Sequence, residues 1–541
     1  MRQTDEVQAK VRSIGLAVVF ALAVAFLYLV YQATQFQDLT DISALDYAQV
    51  ARNFARGEGF TTKFIRPLTL GELAKPSIDS TPEVAMAPLH PGLMGVFFKL
   101  FGATGRAAAW CCGLWFMLTC AVTYLLALKV FNRAVAVLAT IIVATDAALL
   151  RYAISGLETS LLTLLVTLLF AVLYFHWESD RARLGLSAAA GLLVGLIYLT
   201  DYPWIALFIP VLIVVWANSR GKGAAVNAIA FIALCVIVTA PWTIRNYTLT
   251  GRLLPYRCTE AAMGTLSYPA NTLYRSFAPP EFSGVIKYAA SAPREMYSKL
   301  RSNLMQMLPM VAGLGGLFVG AFFWVAILVP FGGDGFSRAR YVLYGTLLLL
   351  IVTLSVLGIT GRSLAPFGPV AVVTAIALFT SLLDRRVARM EGRAQGRWRN
   401  FGIALLLIVH LGPLTLTMVP GFGSDFNQGT QLQRAADELN TLLPEGGPII
   451  TDMPWAVAWY ADRPAIWLPY RTLDVRRMEE KVGRVNYMLL TPYVFQIRDA
   501  EKATGWARAW QQGLGSDAQY DTWVLDKRLA NGAWVLFKHT L

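Results

Sequence analysis

The segment "IGLAVVFALAVAFLYLVYQATQFQDLTDISALDYAQVARNFARGEGF", residues 14–60, contains the two features that decide the fold of this chain. Its first half is an apolar run long enough to span a membrane, because a ~30 Å hydrocarbon core takes about 20 helical residues. Its second half, from Asp41 onward, is polar and carries two aspartates in a helical pattern. A polar helix directly outside an apolar one indicates a membrane protein with a structured outer boundary.

The composition extends this interpretation to the whole chain. Its 541 residues are 56% hydrophobic and 15% charged, with a mean hydropathy of +0.50, whereas soluble domains are about 25% charged. The first run is too long for a cleavable signal peptide and is followed by no convincing small-residue cleavage site. We therefore expect an α-helical polytopic membrane protein with about 11 transmembrane helices. The apolar runs lie at roughly 13–34, 105–128, 134–150, 157–176, 185–200, 203–217, 224–240, 305–330, 341–359, 364–382 and 401–419.

Basic residues fall in every second connection between these runs. Short Lys- and Arg-rich loops stay in the cytoplasm, so the N-terminus is expected inside and the C-terminus outside. The net charge of +13 then reflects membrane topology and does not indicate a nucleic-acid partner. The basic positions are Arg2, Lys10, Arg12, Lys129, Arg133, Arg181, Arg183, Arg220, Lys222, Arg338, Arg340 and the segment 384–400.

The long segments all lie on the predicted outer side. Outer loops are expected at 35–104 and 241–304, within a membrane domain of residues 1–420. Residues 421–541 alternate strand and helix patterns, which predicts a small extracytoplasmic α/β domain. The five cysteines form no CxxC motif, so neither a disulfide framework nor a cysteine metal site is expected.

The polar segment after the first span predicts an amphipathic juxtamembrane helix. Ser43 with Asp46 three residues on matches the capping-box pattern. Asp46, Gln49 and Asn53 form a polar stripe, which we expect to face an aqueous cavity above the membrane. The alternative is that Asp46 caps the helix and Asp41 is a solvated loop residue.

Further polar residues occur at the predicted outer ends of other spans. A charged group near the hydrocarbon edge usually has a partner or a function. Alternatives remain for each: Glu158 as a helix-start acid, Arg362 reaching lipid headgroups, and His90 as a structural histidine. The residues concerned are His90 in "APLHPG", Glu158 in "ISGLETS", Asp201 and Tyr202 in "YLTDYPW", Arg245 in "APWTIRNY", Arg257 beyond it, and Arg362 in "ITGRSLAPFGP".

Several of these segments carry a family likeness. "DYAQVARNFARGEGF", "PLHPGLMGVFFKLFG", "SGLETSLLTLL", "APWTIRNYTLTG" and "GRSLAPFGPVAVV" occur in the order found in polytopic GT-C glycosyltransferases. The chain most resembles the bacterial protein-mannosyltransferase and aminoarabinose-transferase type. The likeness covers the membrane part and extends loosely to the tail.

The resemblance implies transfer of a sugar from a polyprenyl-phosphate donor to a glycan, lipid or protein acceptor at the outer face of the bacterial inner membrane. It implies that Asp46 is the catalytic base, with Asp41 as the second candidate. Many relatives have an acidic pair where this chain has Ser43 and Ala44, so both candidates stay open.

The resemblance also implies the other roles. Glu158 resembles a second-loop acid that in some members helps to hold a divalent metal ion, and His90 could join it. Arg362 resembles the arginine that meets the lipid phosphate, and Arg245 and Arg257 add positive charge to the same face. We expect Tyr47, Gln49, Asn53, Asp201 and Tyr202 to line the substrate cavity.

Two other functions compete with transfer. A transporter or lipid flippase would place polar residues along a path through the membrane, and Asp146 and His410 near span interiors form no such chain. A non-catalytic scaffold that presents its tail to a partner would need no acidic first loop. Sugar, acceptor, metal dependence and oligomeric state are not determined by the sequence.

Overall fold

The computed structural model describes residues 2–179, 183–219, 222–252, 257–277, 285–316, 318–390, 393–419, 428–443, 446–496, 505–515 and 519–540. Helices dominate from the N-terminus to residue 418, and strands are concentrated in the tail. The helices are α1 Arg2–Gln35, α2 Ile42–Arg56, α3 Pro67–Glu72, α4 Leu89–Phe101, α5 Gly105–Val130, α6 Arg133–Ala144, α7 Ala147–Ala153, α8 Thr159–Glu178, α9 Arg183–Thr200, α10 Phe208–Ala217, α11 Lys222–Thr250, α12 Arg257–Ala262, α13 Val285–Ser291, α14 Pro293–Ala312, α15 Val319–Val325, α16 Asp334–Leu357, α17 Gly368–Val387, α18 Arg393–Met418, α19 Gln428–Leu442, α20 Pro454–Ala456, α21 Thr472–Val482 and α22 Trp506–Gly513.

The membrane part confirms the polytopic helical class. Within the described residues, 8 helices are long and apolar enough to cross a membrane. α6 and α7, bent by 61° at their junction, form either one broken span, which would be a ninth, or a re-entrant loop. The 8 are contained in α1, α5, α8, α9, α11, α16, α17 and α18. The chain is a multi-pass membrane protein.

Two of the predicted runs are shorter or broken helices. Residues 203–217 form a 3₁₀ turn, Tyr202–Leu207, followed by the short α10. Residues 305–330 divide into the end of α14 and the 7-residue α15. Pro309 lies inside α14, and Gly315 and Gly316 adopt φ values of +82° and +95°. These left-handed glycines turn the chain and interrupt the apolar run, which hydropathy alone does not detect.

Small residues allow the spans to pack closely. A Cβ atom on Gly191 of α9 would lie 2.0 Å from the carbonyl oxygen of Phe231 in α11. Close helix approach at small residues is the usual packing device in membranes. The bundle core is formed mainly by buried leucine, valine, isoleucine, alanine and phenylalanine side chains.

The tail forms the predicted mixed α/β fold. Its strands are β4 Ile449–Thr451, β5 Ala465–Trp467, β6 Tyr487–Leu490, β7 Gln519–Tyr520, β8 Trp523–Leu529 and β9 Trp534–His539. β4 pairs in parallel with β5 and β6, whereas β7, β8 and β9 are antiparallel. The last two strands, β8 and β9, form an antiparallel hairpin at the end of the chain.

Residues 35–104, the predicted first outer loop, contribute a strand to this sheet. The loop contains β1 Thr61–Thr62, β2 Phe64–Ile65 and β3 Thr81–Pro82. β1 pairs with β3, and β2 pairs in parallel with β5, giving the seven-strand order β2-β5-β4-β6-β9-β8-β7. Two residues between a lysine and an arginine carry no recognisable strand pattern, so sequence analysis missed this connection.

Candidate functional site

Helix α2 begins two residues earlier than the sequence pattern predicts. Asp41, with extended backbone, is the N-cap, and its Oδ1 accepts hydrogen bonds from the backbone N–H groups of Ser43 (2.8 Å) and Ala44 (3.3 Å). The predicted Ser43–Asp46 capping box is therefore wrong, because the Asp41 carboxylate accepts the hydrogen bonds from the free N–H groups at the start of α2. The Asp46 carboxylate is left available for other contacts.

Asp46 is buried in a polar cluster formed by α2 and the following loop. Its Oδ2 pairs with the guanidinium of Arg66, and Gln49 donates from Nε2 to its Oδ1 at 3.0 Å. Arg66 also pairs with Glu83 at 3.4 Å. Burial raises the pKa of Asp46 to about 6, against the lowering effect of Arg66.

The polar stripe of α2 packs against protein. Gln49 Nε2 donates to Thr62 Oγ1 at 2.8 Å, and Asn53 Nδ2 donates to the carbonyl oxygen of Thr61 at 3.1 Å. Gln49 and Asn53 are 0% and 1% exposed. The expectation that this stripe faces an aqueous cavity is wrong, because strand β1 covers it.

Glu158 and Arg362 form an ion pair between two interhelical loops. Arg362 Nε donates to Glu158 Oε1 at 3.0 Å. Glu158 lies directly before α8, and Arg362 lies in the connection between α16 and α17. Burial disfavours the guanidinium charge, but the adjacent Glu158 outweighs this effect and raises the pKa of Arg362. Among the described residues, Glu158 Oε2 has no hydrogen-bond partner.

His90 is fully buried beside this pair. Its Nε2 lies 3.0 Å from the carbonyl oxygen of Gly156, so Nε2 carries the proton and Nδ1 is an acceptor. Burial lowers the pKa of His90, which keeps the ring neutral. Within the described part of the chain, Nδ1 has no hydrogen-bond partner. Gly156 adopts a φ of +78°, a conformation that turns its carbonyl toward the ring at low steric cost.

Tyr47 follows Asp46 in α2 and lies beside His90. Its ring packs edge-on against His90 with the centroids 5.1 Å apart. Burial raises the pKa of Tyr47, and the charges of Glu158, Asp201 and Asp46 raise it further. The charges of the Asp46 cluster and of the Glu158–Arg362 pair therefore both act on this phenol.

A cleft of about 580 Å³ opens at the ends of the spans beside this arrangement. Asp41 and Arg362 line it, together with Asp38, Arg151 and Tyr152. Asp46 and Glu158 do not contribute to its lining. The cleft offers two guanidinium groups and two carboxylates where apolar helices meet a polar loop.

The other predicted residues lie elsewhere. Arg245 donates to the carbonyl oxygens of Glu83 (2.7 Å) and Phe60 (3.0 Å). Its guanidinium is hydrogen-bonded to the loop backbone and does not line the cleft. Tyr202 donates to the carbonyl oxygen of Met86 at 3.0 Å, and Asp201 precedes its 3₁₀ turn.

Arg257 begins α12, but its side chain lies outside the described residues.

The charge partners in this region were missed by sequence reasoning. Arg66 and Glu83 lie between α2 and α4, and nothing in their spacing marks them as partners of Asp46. Arg151 could have been found, because it lies at a span end that the sequence analysis places on the outer side, just as Arg362 does. The rule that outer loops tend to lack arginine applies equally to both.

A resident metal ion has few ligands here. Among the described residues, no group of three or more His, Cys, Asp or Glu side chains is placed to hold one. In the described part of the chain, His90 Nδ1 and Glu158 Oε2 are two acceptors without a hydrogen-bond partner, which is fewer than the usual protein ligand set of a resident ion. These residues alone do not complete a metal site.

A family model matches part of this chain. The family model of dolichyl-phosphate-mannose-protein mannosyltransferase matches residues 85–244, which include His90, Glu158 and Asp201. No curated protein matches the chain in sequence.

Solved structures of other proteins resemble this chain over most of its length. ArnT from Cupriavidus metallidurans bound to undecaprenyl phosphate is 15% identical, with a TM-score of 0.58 over 97% of this chain and 98% of that one. Its apo form gives the same values. The apo oligosaccharyltransferase of Archaeoglobus fulgidus is 14% identical, with a TM-score of 0.50 over 89% of this chain and 70% of that one. The resemblance stated from the sequence is thereby confirmed: this chain has the fold of the polytopic GT-C glycosyltransferases of the ArnT and protein-mannosyltransferase type.

Proposed function

We propose that this protein is a membrane glycosyltransferase that takes a sugar from a polyprenyl-phosphate donor and passes it to an acceptor at the extracytoplasmic face. The observation that carries the proposal is the cleft at the ends of the spans, which is lined by Arg362, Arg151 and Asp41. A lipid phosphate needs cationic partners at this depth, and its isoprenoid tail needs adjacent apolar helices. The family-model match and the ArnT fold support the same reaction class.

The chemistry assigns a role to each charge. Arg362, held by Glu158, and Arg151 would stabilise the negative charge that develops on the leaving phosphate. Arginine suits this role because its planar guanidinium binds phosphate oxygens in pairs and keeps its charge. Direct attack by one activated acceptor predicts inversion at the anomeric carbon, and product stereochemistry determined by NMR tests this.

The base is assigned to Asp41, with Asp46 as the alternative. The sequence order favoured Asp46, but that carboxylate is buried and paired with Arg66, whereas Asp41 lines the cleft. A general base must reach the acceptor proton directly or through one water. Asp46 then acts as a positioning residue that holds Arg66 and the first outer loop.

The proposed topology follows the basic loops. The N-terminus would be cytoplasmic, with the clefted ends of the spans outside, in a bacterial inner membrane. Residues 1–420 would form the catalytic domain and residues 421–541 the extracytoplasmic α/β domain, joined through β2. The reaction as proposed contains no step that depends on a metal ion; His90 and Glu158 would contribute two ligands if one binds with substrate.

Mass spectrometry of lipid that co-purifies with the protein tests the proposal. We expect a polyprenyl phosphate or its sugar ester with the wild type, and at least tenfold less with Arg362→Ala. The matched control is Arg386→Ala, an exposed arginine in the last turn of α17. Equal lipid in all three preparations, or none in the wild type, would contradict the assignment of the donor site.

A further inference from the structure

A second cleft, of about 640 Å³, lies in the tail domain. Helix α21 forms one wall, and the segment around the β7–β8 turn forms the other. It shares no lining residue with the cleft at Arg362. Its size falls within the range of small-molecule sites, roughly 300–1,000 Å³.

Aromatic rings form the floor of this second cleft. Trp506 and Trp523 are 1% and 3% exposed. Trp506 Nε1 donates to the carbonyl oxygen of Pro469 at 2.9 Å, and Trp523 packs edge-on against His539 with the centroids 4.6 Å apart. Tyr520, half-buried, lies beside Trp506 with a centroid distance of 6.0 Å. The floor is apolar and fixed in place by these contacts.

Charged side chains of both signs surround this floor. The lining contains Arg476 and Arg484 together with Glu479, Glu480 and Asp521. Three carboxylates disfavour a polyanion, and two guanidinium groups disfavour a simple cation. The charge balance favours a ligand without net charge but with many hydrogen-bonding groups.

Several of these polar groups are already oriented by the fold. Glu479 Oε1 accepts from the backbone N–H of Val485 at 3.2 Å, and Arg484 donates to the carbonyl oxygen of Thr540 at 2.7 Å. Asp521 adopts a left-handed φ of +54° at the β7–β8 turn, a conformation that aspartate tolerates better than most residues. Preorganised polar groups lower the entropy cost of binding.

We infer that this second cleft binds a neutral saccharide. A sugar ring offers an apolar C–H face to aromatic side chains such as Tyr520, and hydroxyls that donate to carboxylates and accept from guanidinium groups. The combination of an aromatic floor with a mixed-charge rim matches both requirements. The inference concerns binding by the tail domain, and it holds whether or not the chain transfers a sugar.

The test measures saccharide binding to the full chain in lipid nanodiscs. The probes are neutral maltopentaose, mannopentaose and chitopentaose, with a heparin octasaccharide as the anionic comparison. Tryptophan fluorescence and saturation-transfer NMR report on binding. We expect millimolar or tighter binding of at least one neutral probe, and none of heparin at the same concentration.

Variants locate the site. Arg476→Ala and Tyr520→Ala should each weaken saccharide binding about tenfold. The first variant loses one charged hydrogen bond, and the second loses one aromatic contact. Arg477→Ala is the matched control: it is the next residue of α21, its side chain is 60% exposed, and it pairs with Asp474 at 3.6 Å. Binding in Arg477→Ala should equal the wild type.

Glu480→Gln, a conservative change at an exposed rim position, provides a variant that preserves folding if either truncation unfolds the domain. It should weaken binding severalfold. No binding of any neutral probe by the wild type, tighter binding of heparin, or equal binding in the rim variants and Arg477→Ala would overturn the inference. Loss of transfer activity alone would not bear on it, because binding is read directly.

Discussion

Arg362 Nε lies 3.0 Å from Glu158 Oε1, although the two residues are 204 positions apart in sequence. The pair joins the loop before α8 to the loop before α17 beside the cleft that also contains Arg151 and Asp41. Glu158 orients the guanidinium, and its second oxygen and His90 Nδ1 have no hydrogen-bond partner among the residues that the structure describes. Charges from separate connections thus meet at one end of the membrane bundle.

Replacement of Glu158 should weaken donor binding through Arg362. Glu158→Gln keeps the shape but removes the charge that fixes the guanidinium, so we expect about a tenfold rise in the dissociation constant for a polyprenyl-phosphate sugar. Scintillation-proximity binding to purified protein measures it. Glu178→Gln, at the opposite end of α8, is the control, and an equal effect of both changes would show that Glu158 has no special part.

Asparagine substitutions distinguish the two candidate bases. Asp41→Asn should lower the transfer rate by at least 100-fold while donor binding persists, since general-base catalysis contributes about 10²–10⁴-fold. Asp46→Asn should retain measurable transfer. Glu58→Gln, just beyond α2, serves as the control. Full activity in Asp41→Asn with complete loss in Asp46→Asn would move the base to Asp46.

The pH profile gives an independent answer. Burial raises the pKa of Asp46 to about 6, so its carboxylate is protonated, and its attraction for Arg66 lost, as the pH falls through 6. If Asp46 itself were the base, the rate would fall tenfold per pH unit below 6. If Asp46 is a positioning residue, the transfer rate should fall less steeply below pH 6. This fall in rate should be absent from the Asp46→Asn variant. A full tenfold slope would support Asp46 as the base.

Asp462 should hold the first outer loop to the tail domain. It pairs with Arg52 (2.8 Å), Arg56 (2.8 Å) and Lys63 (2.6 Å). Asp462→Asn leaves the buried Arg52 with an unmatched charge, so we expect a loss of about 1–3 kcal/mol, visible as a lower melting temperature. Asp526→Asn, exposed on β8, should have no effect. Equal melting temperatures for the two variants would count against this role.

The tail domain should lose stability as the pH rises from about 4 to 7. Asp452 is buried, and burial raises its pKa to about 7, although Thr491 donates to it. The folded state therefore binds a proton that the unfolded state releases near pH 4, and this stabilising contribution disappears as the pH passes 7. Asp452→Asn should flatten the dependence of melting temperature on pH. An unchanged dependence in that variant would contradict the assignment to Asp452.

Local patterns predicted much of this architecture. Apolar runs identified the spans, and alternating strand and helix patterns identified the tail domain. Two features escaped because they depend on distant partners. β2 is two residues long and is stabilised by pairing with β5 some 400 residues away, and the burial of Gln49 and Asn53 depends on β1 covering α2.

In the candidate site too, local patterns predicted some features, whereas others depend on distant partners. The approach of Glu158 and Arg362 followed from both lying at the same end of their spans, which topology determines. Sequence could not reveal that Arg66 neutralises Asp46, because a loop arginine has no periodicity that points to its partner. Nor could it show that Asp41 caps α2, since Ser43 is an equally good N-cap by type.

Turnover of a lipid-linked sugar tests the central claim most directly. Purified protein in nanodiscs is given a polyprenyl-phosphate sugar labelled in the sugar, together with a candidate acceptor, and release of free polyprenyl phosphate is followed by mass spectrometry. We expect release coupled to labelled acceptor in the wild type, and at least 100-fold less in Asp41→Asn and Arg362→Ala, with Arg386→Ala unaffected. Release at the same rate in the wild type and both variants would contradict the account.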